Sequence, residues 1–306
     1  YSNVRNRFLH PFMPVGLPPD WDTPHHHFNQ QPTDLVDPGH PYRFELGGVR
    51  FEVIATPGAE GAESVSVWMP DHSILFTGDL FGPTTFPMWP NLTTIRGETF
   101  RAPLPYLESL YAVIALEPEL ILPGHFDPHK GKKENLRKLR LQRDSLKYVH
   151  DKVIEGMNAG KTVYQLMAEI KLPKHLAVPE NHGKISWTVR GIWQHYMDWF
   201  YFDATSPLYP VAPSSVHPEI VEMAGGAGAV AARAQDLLGQ GDVLRALLLV
   251  EMAEKADPTD KKVIDTMRNV TKELLRRASA DPLATNWTEQ LWLRAKLRDL
   301  ESIPKK

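Results

Sequence analysis

Three apolar runs in this chain each end in a glycine-containing turn that delivers an acidic residue or a histidine. Val49 to Ala55 alternates like a half-buried strand and breaks at Thr56-Pro57-Gly58, just ahead of Glu60 and Glu63. Ser64 to Met69 and Ser73 to Thr77 flank a Pro70-Asp71 turn, and the second run ends at Gly78-Asp79. Leu120-Ile121-Leu122 ends at Pro123-Gly124-His125. Carboxylate and imidazole donors held at loop tips by rigid strands suit a hard or borderline divalent cation, so the predicted chemistry is metal-centred hydrolysis. Two neighbouring cations need a bridging carboxylate to offset their repulsion, and terminal ligands besides. Asp79 is the predicted bridge and His125 a predicted terminal ligand, with Asp127 near enough in sequence to orient its second ring nitrogen. An Asp after Gly also serves as an ordinary turn or cap residue, and that role is the competing one here.

The elements that position these residues change character along the chain. Residues 1 to 45, rich in Pro, His and Asn, are expected to form a long loop. It holds His25-His26-His27, whose side chains alternate in an extended segment, so at most two could share an ion. Their plainer role is packing against Trp21 and Phe28; the sharper one is approach to the active site. Short strands are expected from 46 to 125, then a helix over Pro103 to Leu116, where Leu104, Leu107, Leu110, Tyr111 and Ile114 keep helical spacing. Helices follow over Glu134 to Gly156, from Thr162, over Ser186 to Phe202, and as three or four further elements between Pro218 and Leu300. Trp193, Tyr196, Trp199, Phe200 and Phe202 recur at helical steps, which predicts a helix buried on one face; a hydrophobic substrate tunnel is the alternative. The tract Ala204 to Pro218 contains four prolines and is the clearest linker. The helices beyond it are loosely similar to tetratricopeptide hairpins but show no fixed period. Gly225-Gly226 is a loop and not a phosphate cradle, since no Lys-Ser/Thr follows.

Composition narrows the function classes. A chain of 306 residues with 42% hydrophobic side chains can bury a core and accommodates about two domains. A formal charge of −3 without a basic cluster gives no electrostatic footprint for nucleic acid. The absence of cysteine excludes disulfides, thiolate zinc sites and a cysteine nucleophile, leaving His, Asp and Glu as metal donors. It suits a reducing cytosol and a periplasm equally, so localisation stays unassigned. No long apolar span is present.

Taken together, Thr56-Pro57-Gly58-Ala59-Glu60, Gly78-Asp79 and Pro123-Gly124-His125 resemble, in order, the later motifs of the metallo-β-lactamase superfamily. Glu at the position where most members have His, followed by Asn91-Leu92-Thr93-Thr94-Ile95-Arg96-Gly97, is similar to the alkylsulfatase branch. Ala224-Gly225-Gly226-Ala227, Gly241-Asp242 and Ala256-Asp257-Pro258 resemble that branch's dimerisation domain. The superfamily's first metal motif, His-x-His-x-Asp-His, does not occur in the sequence.

The resemblance implies an α/β fold: the later part of a metallo-β-lactamase-like αββα layer (residues 1–140), then a mostly helical dimerisation region (141–306). It implies two Zn²⁺ ions, with Glu60 as a terminal ligand matched by its spacing to Asp79 and Glu63 replacing or assisting it. Asn91 and Arg96 fall in the segment where the branch places an anion-binding arginine, and a guanidinium fork suits a sulfate. Arg96 could equally pair with Glu98. The implied reaction is hydrolysis of an alkyl sulfate by metal-bound hydroxide. Hydrolysis of a carboxylic ester, amide or lactone is the alternative, and a non-catalytic scaffold subunit with an incomplete metal site is another. The implied partners are a small hydrophobic ester or sulfate ester, a second copy in a homodimer, and an N-terminal, strand-rich segment carrying the first motif, upstream or on another polypeptide. One departure stands out: Gly183 to Arg190 resembles the branch's helix that adds a His to the sulfate pocket, yet Trp187 occupies that position and offers one N–H in place of a titratable imidazole. Arg190 could replace the lost positive charge or line the dimer contact.

Overall fold

A computed structural model describes residues 33–59, 61–82, 102–181, 183–201, 203–280 and 285–302. Among them, six strands form one sheet in chain order: β1 (Tyr42–Leu46), β2 (Val49–Ala55), β3 (Val65–Met69), β4 (Ile74–Gly78), β5 (Leu120–Pro123) and β6 (His129–Lys130). The strand over Tyr42–Leu46 corrects the expectation of loop to residue 45. Its cause is local: Tyr42, Phe44 and Leu46 alternate with Arg43 and Glu45, and Gly47 and Gly48 both adopt positive φ in the two-residue link to β2. Only β4 and β5 pair in parallel. They are joined by a crossover that includes α1 (Pro103–Ala115), as parallel neighbours require.

Pairing direction sets where the loops emerge. β2 and β3 are antiparallel, as are β3 and β4, so β2 runs the same way as β4 and β5. The turns after Ala55, Gly78 and Pro123 therefore leave from one edge of the sheet.

The two faces of the sheet differ. On one, Ser66, Trp68, Leu75, Thr77 and Ile121 are buried. The helical side of this core consists of Leu107, Leu110 and Val113 of α1 with Leu139, Leu146, Val149 and Val153 of α2 (Lys132–Asn158), which packs on α1, β5 and β6. The other face carries Phe44, Phe51, Val53, Val65, Val67 and Phe76, aligned by register across four strands, and none of them is buried. A sheet face this apolar is built to be covered.

Two shorter helices follow among the described residues of the first of two compact units, residues 1–198. α3 (Val163–Glu169) opens on a capping box between Thr162 and Gln165. α4 (Ile185–Met197) buries Ile185, Val189, Ile192 and Trp193. It ends five residues short of the predicted Phe202, because Asp198 takes φ 59° while its N–H still bonds the Gln194 carbonyl at 2.9 Å. The expected continuous aromatic face is corrected accordingly: Trp193 is buried, but Tyr196 and Trp199 are exposed. Residue 140, the anticipated domain division, falls inside α2, and the compact units meet at 198/199.

The second unit contains five helices among its described residues, not three or four: α5 (His217–Met223), α6 (Ala227–Gly239), α7 (Val243–Ala256), α8 (Lys261–Ala278) and α9 (Trp287–Ser302). Short caps punctuate the pattern. Gly225 and Gly226 both take positive φ before α6, Asp242 accepts from Arg245 N–H at the start of α7, and Asp257 Oδ1 accepts from Thr259 N–H at 2.9 Å. Ala231, Ala234, Ala246, Val250, Ala253, Met267 and Val270 form its core. No helix among the described residues is long and apolar enough to cross a membrane.

Candidate metal centre

The parallel pair β4/β5 brings two of the sequence-predicted ligands together. Gly78 lies opposite Pro123, and Gly124 N–H donates to the Gly78 carbonyl at 2.9 Å. Asp79 and His125 thus leave adjacent strands side by side at their carboxyl ends, where open α/β sheets bind ligands. Asp79 Oδ1 and His125 Nε2 are 3.4 Å apart, with side-chain exposures of 36% and 72%. An ion pair this exposed contributes little to folding. The separation is instead what two donors about 2.0–2.1 Å from one tetrahedral cation adopt, since such bond lengths place ligand atoms about 3.3–3.4 Å apart.

Glycines keep the space around the pair clear. A Cβ on Gly124 would sit 3.1 Å from Asp79 Oδ1 and 3.2 Å from the Gly78 carbonyl carbon. A Cβ on Gly82 would meet the Pro123 Cβ at 2.2 Å, so the chain after Asp79 can run against the β5 end only with glycine there. The turn is held from within: Leu80 N–H bonds the Thr77 carbonyl at 3.0 Å, and the buried Thr77 hydroxyl donates to the Phe81 carbonyl at 2.7 Å. Carboxylate, imidazole and open space fit a divalent cation.

The loop after β2 is closed by Thr56 N–H to Ser64 O at 2.8 Å and Gly61 N–H to Ser64 Oγ at 3.1 Å. Glu63 turns back over Gly61, where an added Cβ would lie 2.5 Å from both its carboxylate oxygens. It does not join Asp79 and His125: among the described residues, no three His, Asp or Glu side chains gather closely enough to hold an ion. Glu60, Asn91, Arg96 and the triplet His25-His26-His27 lie outside the described residues. Asp127 is exposed, and the neighbour of His125 is Asp79. Trp187 is half-buried on α4 with Lys184 Nζ 6.0 Å from its ring centroid, and Arg190 is exposed.

His129 was not singled out by its sequence context, yet it is buried against the chain that follows Asp79. Its ring packs 5.4 Å from that of Phe81, two residues after Asp79. Burial, and then the positive charge of Lys138 with Nζ 3.3 Å from Nδ1, push its pKa down. A buried neutral imidazole here supports the Asp79 turn as packing. No motif marks such a residue, because its role follows only from the short strand that places it.

Residues 10–125 match the family model of the metallo-beta-lactamase superfamily, and residues 162–292 match that of alkyl sulfatase dimerisation. The first part of the chain thus resembles the metallo-β-lactamase superfamily. A lactamase-type segment followed by a sulfatase-type dimerisation segment is the order that resembles the alkylsulfatase branch. It is 29% identical over 247 residues to a linear primary-alkylsulfatase of a Pseudomonas species, covering 79% of this chain and 45% of that protein. It is 25% identical over 243 residues to an alkyl/aryl-sulfatase of Saccharomyces cerevisiae, covering 77% of this chain and 37% of that one. The solved structure of a stereoselective inverting sec-alkylsulfatase from Pseudomonas shares the fold at a TM-score of 0.77 and 22% identity, covering 90% of this chain and 43% of that one. The chain thus spans less than half the length of the curated relatives it matches.

Proposed function

We propose that this chain supplies part of the active site of a metal-dependent sulfuric-ester hydrolase acting on alkyl sulfates. The observation that carries the reading is the Asp79–His125 pair, 3.4 Å apart on neighbouring parallel strand ends, at the edge where the Glu60-bearing loop also emerges. Asp79 is the bridging ligand in this proposal, with His125 and Glu60 in terminal positions and Glu63 in reserve. Two Zn²⁺ ions are the proposed occupants; when bound they supply Lewis acidity and lower the pKa of water. Arg96, with Asn91 nearby in sequence, binds the sulfate as a bidentate donor. Names carried by the relatives support sulfate esters as the substrate class. The apolar face of β1–β4, none of whose Phe44, Phe51, Val53, Val65, Val67 and Phe76 is buried, supports packing against a further strand-rich layer that carries the His-x-His-x-Asp-His motif.

One observation favours a second reading. Trp187 stands on α4 at the position that resembles the branch's histidine, and an indole cannot bring the positive charge of an imidazolium to a sulfate. A neutral carboxylic ester, amide or lactone has no sulfate charge to hold. Assay of the purified protein on a medium-chain alkyl sulfate and on a neutral ester of equal length, with metal content measured alongside, separates these readings. Sulfate turnover with near-stoichiometric divalent metal is expected. Ester turnover alone supports the second reading, and an empty site without turnover supports a scaffold.

Assembly is proposed to be a homodimer through the helical region, as the match to a dimerisation family suggests. Leu237 and Val250 are buried within the second unit, but Leu244 and Leu248, one turn apart on α7, are 65% and 60% exposed. Light scattering at micromolar concentration is expected to give twice the chain mass. Leu244→Asp with Leu248→Asp should halve it without unfolding the protein; a wild-type monomer would refute the dimer.

A further inference from the structure

We propose that α1 is a two-point clamp on the metal-bearing loops, with Tyr106 and Ser109 as its positioning residues; the proposal rests on the metal reading above. These residues are three apart on one helix and so share a face. Tyr106 OH donates to the Leu80 carbonyl at 2.9 Å, the residue directly after Asp79. Ser109 Oγ donates to the Pro57 carbonyl at 2.9 Å, three residues ahead of Glu60. Both side chains are buried. One rigid element thereby fixes the backbone at two turns that sequence separates by more than twenty residues.

Two further contacts make the clamp specific. Gln142 Nε2, from α2, donates to Tyr106 OH at 3.2 Å. The hydroxyl's acceptor side is thus occupied, and its proton is directed to Leu80. Gly58 adopts φ +83°, and a Cβ there would lie 2.6 Å from Tyr106 N and 2.9 Å from the Ala102 carbonyl oxygen. The first turn of α1 therefore approaches the β2 loop closer than any side chain permits. Removing either hydroxyl leaves a buried carbonyl without its donor. The turn then relaxes toward water or another partner, carrying the adjacent ligand with it.

The test is cobalt(II) binding to the full chain, followed by visible absorption, for wild type, Tyr106→Phe, Ser109→Ala, their double variant and Ser109→Thr. Each hydroxyl deletion is expected to weaken binding about tenfold, the range seen when groups supporting a metal ligand are removed. Ser109→Thr keeps the donor and should stay near wild type, whereas each hydroxyl deletion should also lower the unfolding midpoint of the metal-free protein modestly, because it leaves a buried carbonyl unpaired. The double variant should lose less than the product of the two single effects, because one helix carries both contacts. Wild-type affinity in both single variants overturns the clamp. If Tyr106→Phe fails to fold, the Ser109 pair decides. If the wild type takes up no cobalt, the metal reading fails, and amide exchange judges the clamp on its own. Faster exchange at Leu80 in Tyr106→Phe and at Gly58 in Ser109→Ala then supports it; unchanged exchange overturns it.

Discussion

Asp79→Ala is expected to abolish most metal binding while leaving the fold intact. Asp79 is exposed at the end of β4, so its removal opens no cavity in the core. The Thr77–Leu80 and Thr77–Phe81 hydrogen bonds that shape the turn use backbone carbonyls and the Thr77 hydroxyl, and they survive the change. What disappears is the carboxylate that two adjacent cations would share, and the remaining donors leave their charges poorly neutralised. Metal content by elemental analysis should fall to background, with apparent affinity lower by about 100-fold or more, beyond the loss typical of a supporting residue. His125→Ala should weaken one ion more than the other, because a terminal ligand serves one metal. Full occupancy in Asp79→Ala would reduce the Asp to a turn residue, the competing role for any Gly-Asp step.

Legibility in the sequence tracked how far each feature depends on neighbours in space. β2, β4 and β5 were readable because each alternates or runs apolar and stops at a glycine turn, and the Asp79–His125 pairing followed once β4 and β5 proved parallel. α1 and α2 were readable from their stripes, which bury Leu110, Val113, Leu139 and Leu146. β1 went unread although its signal was present, a Gly47-Gly48 link between alternating residues, because a five-residue strand with every side chain exposed lacks the apolar run that marks the others. The end of α4 carried no signal at all: no proline or glycine immediately follows Met197, and an aspartate at positive φ does the turning. The orientation of Glu63 over Gly61 was unreadable for another reason, since a flexible carboxylate is placed by its immediate backbone and not by pattern. Tyr106 and Ser109 looked like ordinary helix residues. Their hydrogen bonds to Leu80 and Pro57 exist only because the fold brings α1 against two loops remote in sequence.

Arg96→Ala is the change expected to separate sulfate hydrolysis from neutral-ester hydrolysis. Arg96 lies outside the described residues, and its proposed role rests on the Asn91 to Gly97 segment and its likeness to the alkylsulfatase branch. A sulfate ester carries negative charge throughout the reaction, and more gathers on the leaving oxyanion as the bond breaks. A guanidinium aimed at that charge stabilises the transition state more than the ground state. Its loss should lower kcat/KM for a medium-chain alkyl sulfate by about 2–4 kcal/mol, or roughly 30- to 1000-fold. A neutral ester of the same length has no sulfate to hold, and its kcat/KM should change by less than about threefold. Trp187 sharpens the comparison, because an indole at the position that resembles the branch's histidine brings no positive charge to a sulfate. The loss should fall mainly on kcat if the arginine acts in the transition state, and mainly on KM if it only docks the sulfate. An equal loss on both substrates would make Arg96 a structural residue paired with Glu98, and the sulfate assignment would lose its anion-binding group.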